Sequence, residues 1–124
     1  MHSMPDPIHV VDLAKGGWSS LAFKPFRKGV DIAWLQEGEP GVAVLRYAPG
    51  AEVPWHEHPD TEVILVLEGT QSDDRGTYCS GDLVLNPIGT RHRVWSEQGC
   101  VVLLYWAKPV VFCSALSDEP TVKA

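Results

Sequence analysis

The chain has 124 residues, of which 16 are acidic and 10 basic, for a formal charge of −6. That length holds one domain, and it buries roughly two thirds of its unfolded surface without needing disulfide staples. The acidic balance and the lack of a clustered Lys/Arg face exclude a nucleic-acid partner, because phosphate neutralisation requires one.

In chain order, residues 1–17 read as an N-terminal segment with a weak first turn near Val11–Ala14. Trp18 to Gln36 is rich in aromatics (Trp18, Phe23, Phe26, Trp34) and is expected either to cover one open face of the fold or to form a dimer interface. Val42–Tyr47, Glu62–Leu67, Leu83–Asn86, Arg93–Trp95 and Val101–Trp106 are rich in β-branched and aromatic residues. Turn signals bound them at Pro49-Gly50, Glu68-Gly69, Asp74-Arg75-Gly76, Pro87-Ile88-Gly89 and Gln98-Gly99. Short strands at this spacing predict an all-β sandwich or barrel over 18–113. Residues 114–124 are polar and read as a flexible tail.

Cys79, Cys100 and Cys113 are odd in number and form no CxxC pair, so they are expected to be reduced thiols in a cytoplasmic protein. The longest apolar run, Val101–Tyr105, is too short to cross a bilayer, and the N-terminus has no signal-peptide core.

His56 and His58 are two apart, which on a strand places both side chains on one face. Glu62 keeps the even offset if the strand stays in phase through Pro59-Asp60. Two imidazoles and a carboxylate suit a borderline divalent ion and leave positions for water or substrate. By themselves the two histidines would also fit a polar surface strand. His92 lies on a later strand, and only a folded-over sheet brings it to the others. Trp55 and Glu57 have the opposite parity: Trp55 is expected against the N-terminal aromatics, and Glu57 in solvent. His2 and His9 are read as surface or tag residues.

The wider spacing narrows these alternatives. Gly50, five residues, His56, one, His58, three, Glu62, six, Gly69 resembles the first cupin motif. Gly81, five, Pro87, one, Gly89, two, His92, three, Ser96 resembles the second, with Ser96 where Asn is usual. Between them the motifs give the metal ligands His56, His58, Glu62 and His92, with Glu62 also a candidate catalytic base. The four motif glycines are expected at corners with positive φ.

Leu45-Arg46-Tyr47-Ala48-Pro49-Gly50, His56-Glu57-His58, Val66-Leu67-Glu68-Gly69, Asp73 to Tyr78, Gly81-Asp82 and Gly99-Cys100 narrow the resemblance to the cupin domain of ChrR-type anti-sigma factors. It runs from about Trp18 to Trp106 and implies a double-stranded β-helix, the cupin jelly-roll barrel, with one divalent ion per chain. Iron or zinc is expected, and manganese, nickel or copper suits the same donors. Such factors bind sigma through a separate N-terminal helical domain, for which this sequence shows no room, so sigma inhibition is not expected. Stand-alone relatives include diketone- and aryl-ketone-cleaving dioxygenases.

Two functions follow from the resemblance. The first is a dioxygenase-type enzyme acting on a small ketone or diketone, and the second is a metal-dependent sensor or regulatory module. A small-molecule partner and a homodimer are expected. Ile64, Val66, Val94 and Ser96 should face the cavity, with either Val102, Leu104 and Trp106 or Val101, Leu103 and Tyr105. Arg46 or Tyr47 is a candidate polar contact to an enolate or carboxylate.

Overall fold

The computed structural model describes residues 5–113, so the expected tail at 114–124 lies outside the described residues. Its strands are β1 (Lys24–Arg27), β2 (Val30–Gln36), β3 (Gly41–Tyr47), β4 (Glu52–Glu57), β5 (Glu62–Asp73), β6 (Gly76–Cys79), β7 (Leu83–Asn86), β8 (Arg91–Trp95), β9 (Cys100–Trp106) and β10 (Val111–Phe112). The expected first turn is present as a 3-10 turn at Leu13–Lys15, followed by a second at Gly17–Ser20.

All pairings are antiparallel, in the order β1-β2-β3-β9-β5-β8-β4-β10, with β6 and β7 both attached to β5. β5 makes the fold close. Its first half pairs with β7 and β9, and its second half with β6 and β8, so one strand passes from one sheet into the other. The result is the double-stranded β-helix expected from the sequence.

The Glu68-Gly69 turn was expected to end that strand, and the structure corrects this: β5 runs through it to Asp73. The feature is a bulge. Val66 pairs with Val102 and Glu68 with Val101, leaving Leu67 as the extra residue. A one-residue insertion exchanges the faces of all later side chains. Inward positions are therefore even before the bulge (Glu62, Ile64, Val66) and odd after it (Gln71, Asp73). A second bulge at Pro54-Trp55 separates the pairs Val53–Val94 and His56–His92 and turns both Val53 and His56 inward. Proline is tolerated at such a site because no ladder bond is required of it.

The interior is built from Val30, Ile32, Leu45, Ile64, Val66, Val94, Val102, Leu104 and Trp106. This settles the register of β9. Val102, Leu104 and Trp106 face in, whereas Val101 and Leu103 belong to an outer cluster with Val44 and Leu67, and Tyr105 is exposed. The aromatic segment divides. Trp18 and Phe23 pack edge to face over the outer cluster, covering that sheet as one expectation had it. Phe26 and Trp34 instead lie against Trp106 at the barrel mouth, with ring centroids 6.4 and 5.8 Å from it. Trp55, on β4, lies outside the cluster that Trp18 and Phe23 cover.

Candidate metal centre

The four predicted ligands come together, though not by a single strand in phase. β4 ends at Glu57, and Glu62 opens β5 after a reversal. His56 sits directly across from His92 on β8. His58, one residue beyond β4, is fixed by its own backbone: its N–H donates to the Thr90 carbonyl at 2.9 Å, and its carbonyl accepts from Gly89 N–H at 2.8 Å. Glu62 is flanked in register by Asn86 on β7 and Trp106 on β9.

One ligand atom from each of the four lies within 4.8 Å of all the others, and all four residues are buried. His58 Nε2 is 3.0 Å and His92 Nε2 3.8 Å from Glu62 Oε1. Bonds of ~2.1 Å to a common ion place neighbouring donors about 3 Å apart, the separation of His58 Nε2 from Glu62 Oε1.

The outer nitrogens fix the tautomers. His56 Nδ1 donates to the Pro54 carbonyl at 2.8 Å, an atom that can only accept. Thr90 Oγ1 gives its proton to the Pro87 carbonyl, so it must accept from His58 Nδ1 at 2.9 Å. His92 Nδ1 donates to the Asp73 carboxylate at 3.1 Å. Each ring therefore carries a proton on Nδ1 and turns Nε2 inward.

Those of His58 and His92 are buried with no hydrogen-bond partner. An orphaned buried polar atom costs about 1–3 kcal/mol, and an ion at the centre would satisfy both. On this ground the residues fit a divalent metal, and the donor set suits iron, zinc, manganese, nickel or copper alike.

Glu62 is held on both oxygens: Asn86 Nδ2 donates to Oε1 at 3.0 Å and Trp106 Nε1 to Oε2 at 2.6 Å. Burial raises its pKa, but the adjacent His58, His92 and His56 outweigh burial and keep the carboxyl below its ordinary range. Burial, with His92 second, pushes His56 down to about 4. Near neutral pH the centre therefore offers neutral imidazole at His56 and one carboxylate, complementary to a cation.

Two spaces lead to it. An inner chamber of about 20 Å³ is lined by His56, Glu62, His92, Tyr47, Gln71, Ile64 and Val94, room for about one water. An outer antechamber of about 360 Å³ lies at the mouth, walled by Phe26, Trp34, Trp106 and Phe112, with Glu37 and Glu39 also lining it. Phe26, Trp106, Val110 and Phe112 line both. β10 pairs Phe112 with His56 and sets its ring 5.8 Å from the imidazole, and Arg27 stacks 4.3 Å over the other ring.

Among the expected cavity residues, Ile64 and Val94 line the chamber, whereas Val66 lies in the core and Ser96, though buried, is not part of the lining. Ser96 Oγ donates to the Thr70 carbonyl at 2.6 Å, so serine supplies the side-chain bond at that turn. Tyr47 faces the chamber; burial raises its hydroxyl pKa, with Cys100 and Glu62 adding to the rise and Gln71 opposing it. Arg46 does not face it: its guanidinium pairs with Asp31 at 2.9 Å and stacks on Phe23 on the outer face. Asp73, Thr90, Asn86 and Phe112 were not singled out for the site from the sequence. Thr90 and Asn86 stand within or beside the second motif, but their roles depend on pairings that spacing alone does not reveal.

A curled antiparallel jelly roll with three histidines and a glutamate converging inside its barrel defines a cupin. More narrowly, the chain belongs to the ChrR cupin-like domain family, whose model matches residues 11–108. It is 33% identical over 113 residues to the anti-sigma-E factor ChrR of Cereibacter sphaeroides, covering 89% of this chain and 53% of that protein. The chain thus spans about half the length of that relative. In structure it is similar to ChrR as crystallised with SigE from Rhodobacter sphaeroides, with TM-score 0.64 and 27% identity over 69% of this chain and 48% of that one. It is also similar to an acetylacetone dioxygenase from Acinetobacter johnsonii, with TM-score 0.74 over 94% of this chain and 83% of the other, a likeness of fold at 13% identity. Among the described residues, no helix is long and apolar enough to cross a membrane.

Proposed function

We propose that this protein is a metal-dependent enzyme of the dioxygenase type, acting on a small ketone or diketone. The observation that carries the reading is the aromatic antechamber opening onto a buried centre of three histidines and one glutamate. A volume of about 360 Å³ suits a small organic molecule. A bound divalent ion would supply Lewis acidity and open positions for substrate and dioxygen. The chain's own residues do the rest. Phe26, Trp106 and Phe112 exclude water around the substrate body, and Tyr47 and Gln71 present polar groups at the inner end. The two donors on Glu62 support a fixed ligand over a base that swings free.

Elemental analysis of untagged, anaerobically purified protein beside His58→Ala tests this reading. About one iron per chain, lost in the variant, with oxygen uptake on a panel of diketones, hydroxyketones and catechols, is the expected result. A metal-loaded protein that consumes no oxygen with any of them sinks the enzyme, and no metal in either protein sinks the centre itself.

The second reading is a metal-dependent sensor or regulatory module, favoured by the 33% identity to an anti-sigma factor. Zinc in the wild type, with a hydrodynamic radius that changes on oxidation, would support it, whereas an unaltered radius counts against it. The three free thiols support a reducing, cytoplasmic setting. A homodimer is supported by exposed Leu83, Leu85 and Ile88 on and beside β7, which among the described residues pairs only with β5. Light scattering should give twice the chain mass, and a monomer contradicts it.

A further inference from the structure

β5 contributes to the centre twice: Glu62 at its start and, past the bulge that exchanges its faces, Asp73 at its end. The Asp73 side chain is only 3% exposed, and its two oxygens have separate partners. Oδ1 accepts from Arg75 N–H at 2.8 Å, Gly76 N–H at 3.1 Å and the Tyr78 hydroxyl at 2.9 Å, the bonds that shape the β5–β6 turn. Oδ2 faces His92 Nδ1 at 3.1 Å. The other two imidazoles donate to neutral oxygens, the Pro54 carbonyl and the Thr90 hydroxyl, so among the described residues His92 alone has an ionised acceptor.

We propose that Asp73 is a positioning residue for the metal centre, holding His92 as the Nδ1–H tautomer with its Nε2 lone pair turned to the ion. The proposal rests on the metal reading of the four ligands. A carboxylate on the far nitrogen fixes the ring plane and increases the basicity of the near one, because negative charge beside the N–H moves electron density through the ring.

Asparagine at this position would separate the two jobs. Its carbonyl would still accept the turn's donors, but its amide N–H would then face His92 Nδ1. Two donors cannot bond to each other, so the imidazole shifts its proton to Nε2 and caps the atom that should bind the ion. The turn survives and the ligand is lost.

The test is histidine nitrogen NMR of metal-free wild type and Asp73→Asn, with Zn²⁺ and Co²⁺ affinities by chelator competition. Expected are an Nδ1–H tautomer for His92 in the wild type, an Nε2–H tautomer in the variant, and affinity weakened about 10- to 100-fold. Tyr78→Phe, which removes an Oδ1 donor without touching His92, should leave tautomer and affinity unchanged. An Nε2–H tautomer in the wild type overturns the proposal without any variant, so it remains falsifiable even if Asp73→Asn does not fold. An Asp73→Asn protein that folds and binds within about twofold of the wild type overturns the proposal alone. A wild type that takes up neither ion fails the metal reading and the proposal with it.

Discussion

At Gly69 the backbone has φ of +76°, and a Cβ built there would collide with the Gly99 carbonyl oxygen and lie 3.0 Å from Cys100 Cα. Gly50 has a similar φ of +82° but open space around its missing Cβ. The two sites therefore separate backbone strain from collision. Gly50→Ala should cost only the left-handed penalty, about 1–2 kcal/mol. Gly69→Ala adds overpacking against backbone and should cost roughly 2–4 kcal/mol in all. Urea denaturation of the metal-free proteins checks this, and equal losses at the two sites would contradict it. The motif spacing marked both glycines as corners, and it marked the four residues that converge in the barrel. It could not identify the groups that hold them. Asp73, Thr90 and Asn86 are ordinary polar residues until a pairing sets each beside a particular ring or carboxylate.

Strand by strand, legibility followed how cleanly side chains alternate. β3, β7 and β9 showed as β-rich runs because most of their residues are apolar or β-branched and turn residues bound them. β2 did not stand out, because its inward Val30 and Ile32 give way to adjacent Ala33 and Trp34 before a register shift near Gln36. The same kind of shift hid the length of β5, where Gly69 reads as a turn but stands two residues past an inserted one. Parity counted along a sequence holds only between bulges. Counting evenly from Glu62 puts Asp73 on the outside, whereas the Leu67 insertion turns it to His92. Likewise the even offset from His56 to Glu62 pointed to residues that do converge, but for an incomplete reason, since a reversal and a second strand separate them.

For the molecule as a whole, closing the barrel buries a charged centre, and this makes stability depend on pH. His56 has its pKa lowered from 6.5 to about 4. Between those values the unfolded chain binds a proton that the folded one refuses, so folding weakens as pH falls through that window. One histidine shifted this far contributes at most about 3 kcal/mol. Glu62 and Asp73 act with the same sign lower down. Burial raises both, but Glu62 is lowered overall by its histidine neighbours, and Asp73 by His92, the Arg75 amide and the Tyr78 hydroxyl. Their stabilisation is present above the ordinary carboxylate pKa and is lost as pH falls through the depressed values. Denaturation of metal-free protein from about pH 7 to pH 4 should show a steady loss, and a flat profile would show that the buried centre does not resist protonation.

The sequence by itself determined the donor set, the motif glycines, the all-β class and the family, because these are written in residue type and in spacings of a few positions. Only the tertiary structure decided which face of β9 looks inward, that Arg46 points away, and that an aromatic antechamber stands before the ligands. It also decided which proton each imidazole carries. The physical reason is range. Periodicity records which neighbours share a face, whereas the bond from Trp106 to Glu62 joins residues 44 apart and that from Asp73 to His92 residues 19 apart. Such partners are chosen when sheets curl and bulges set the register.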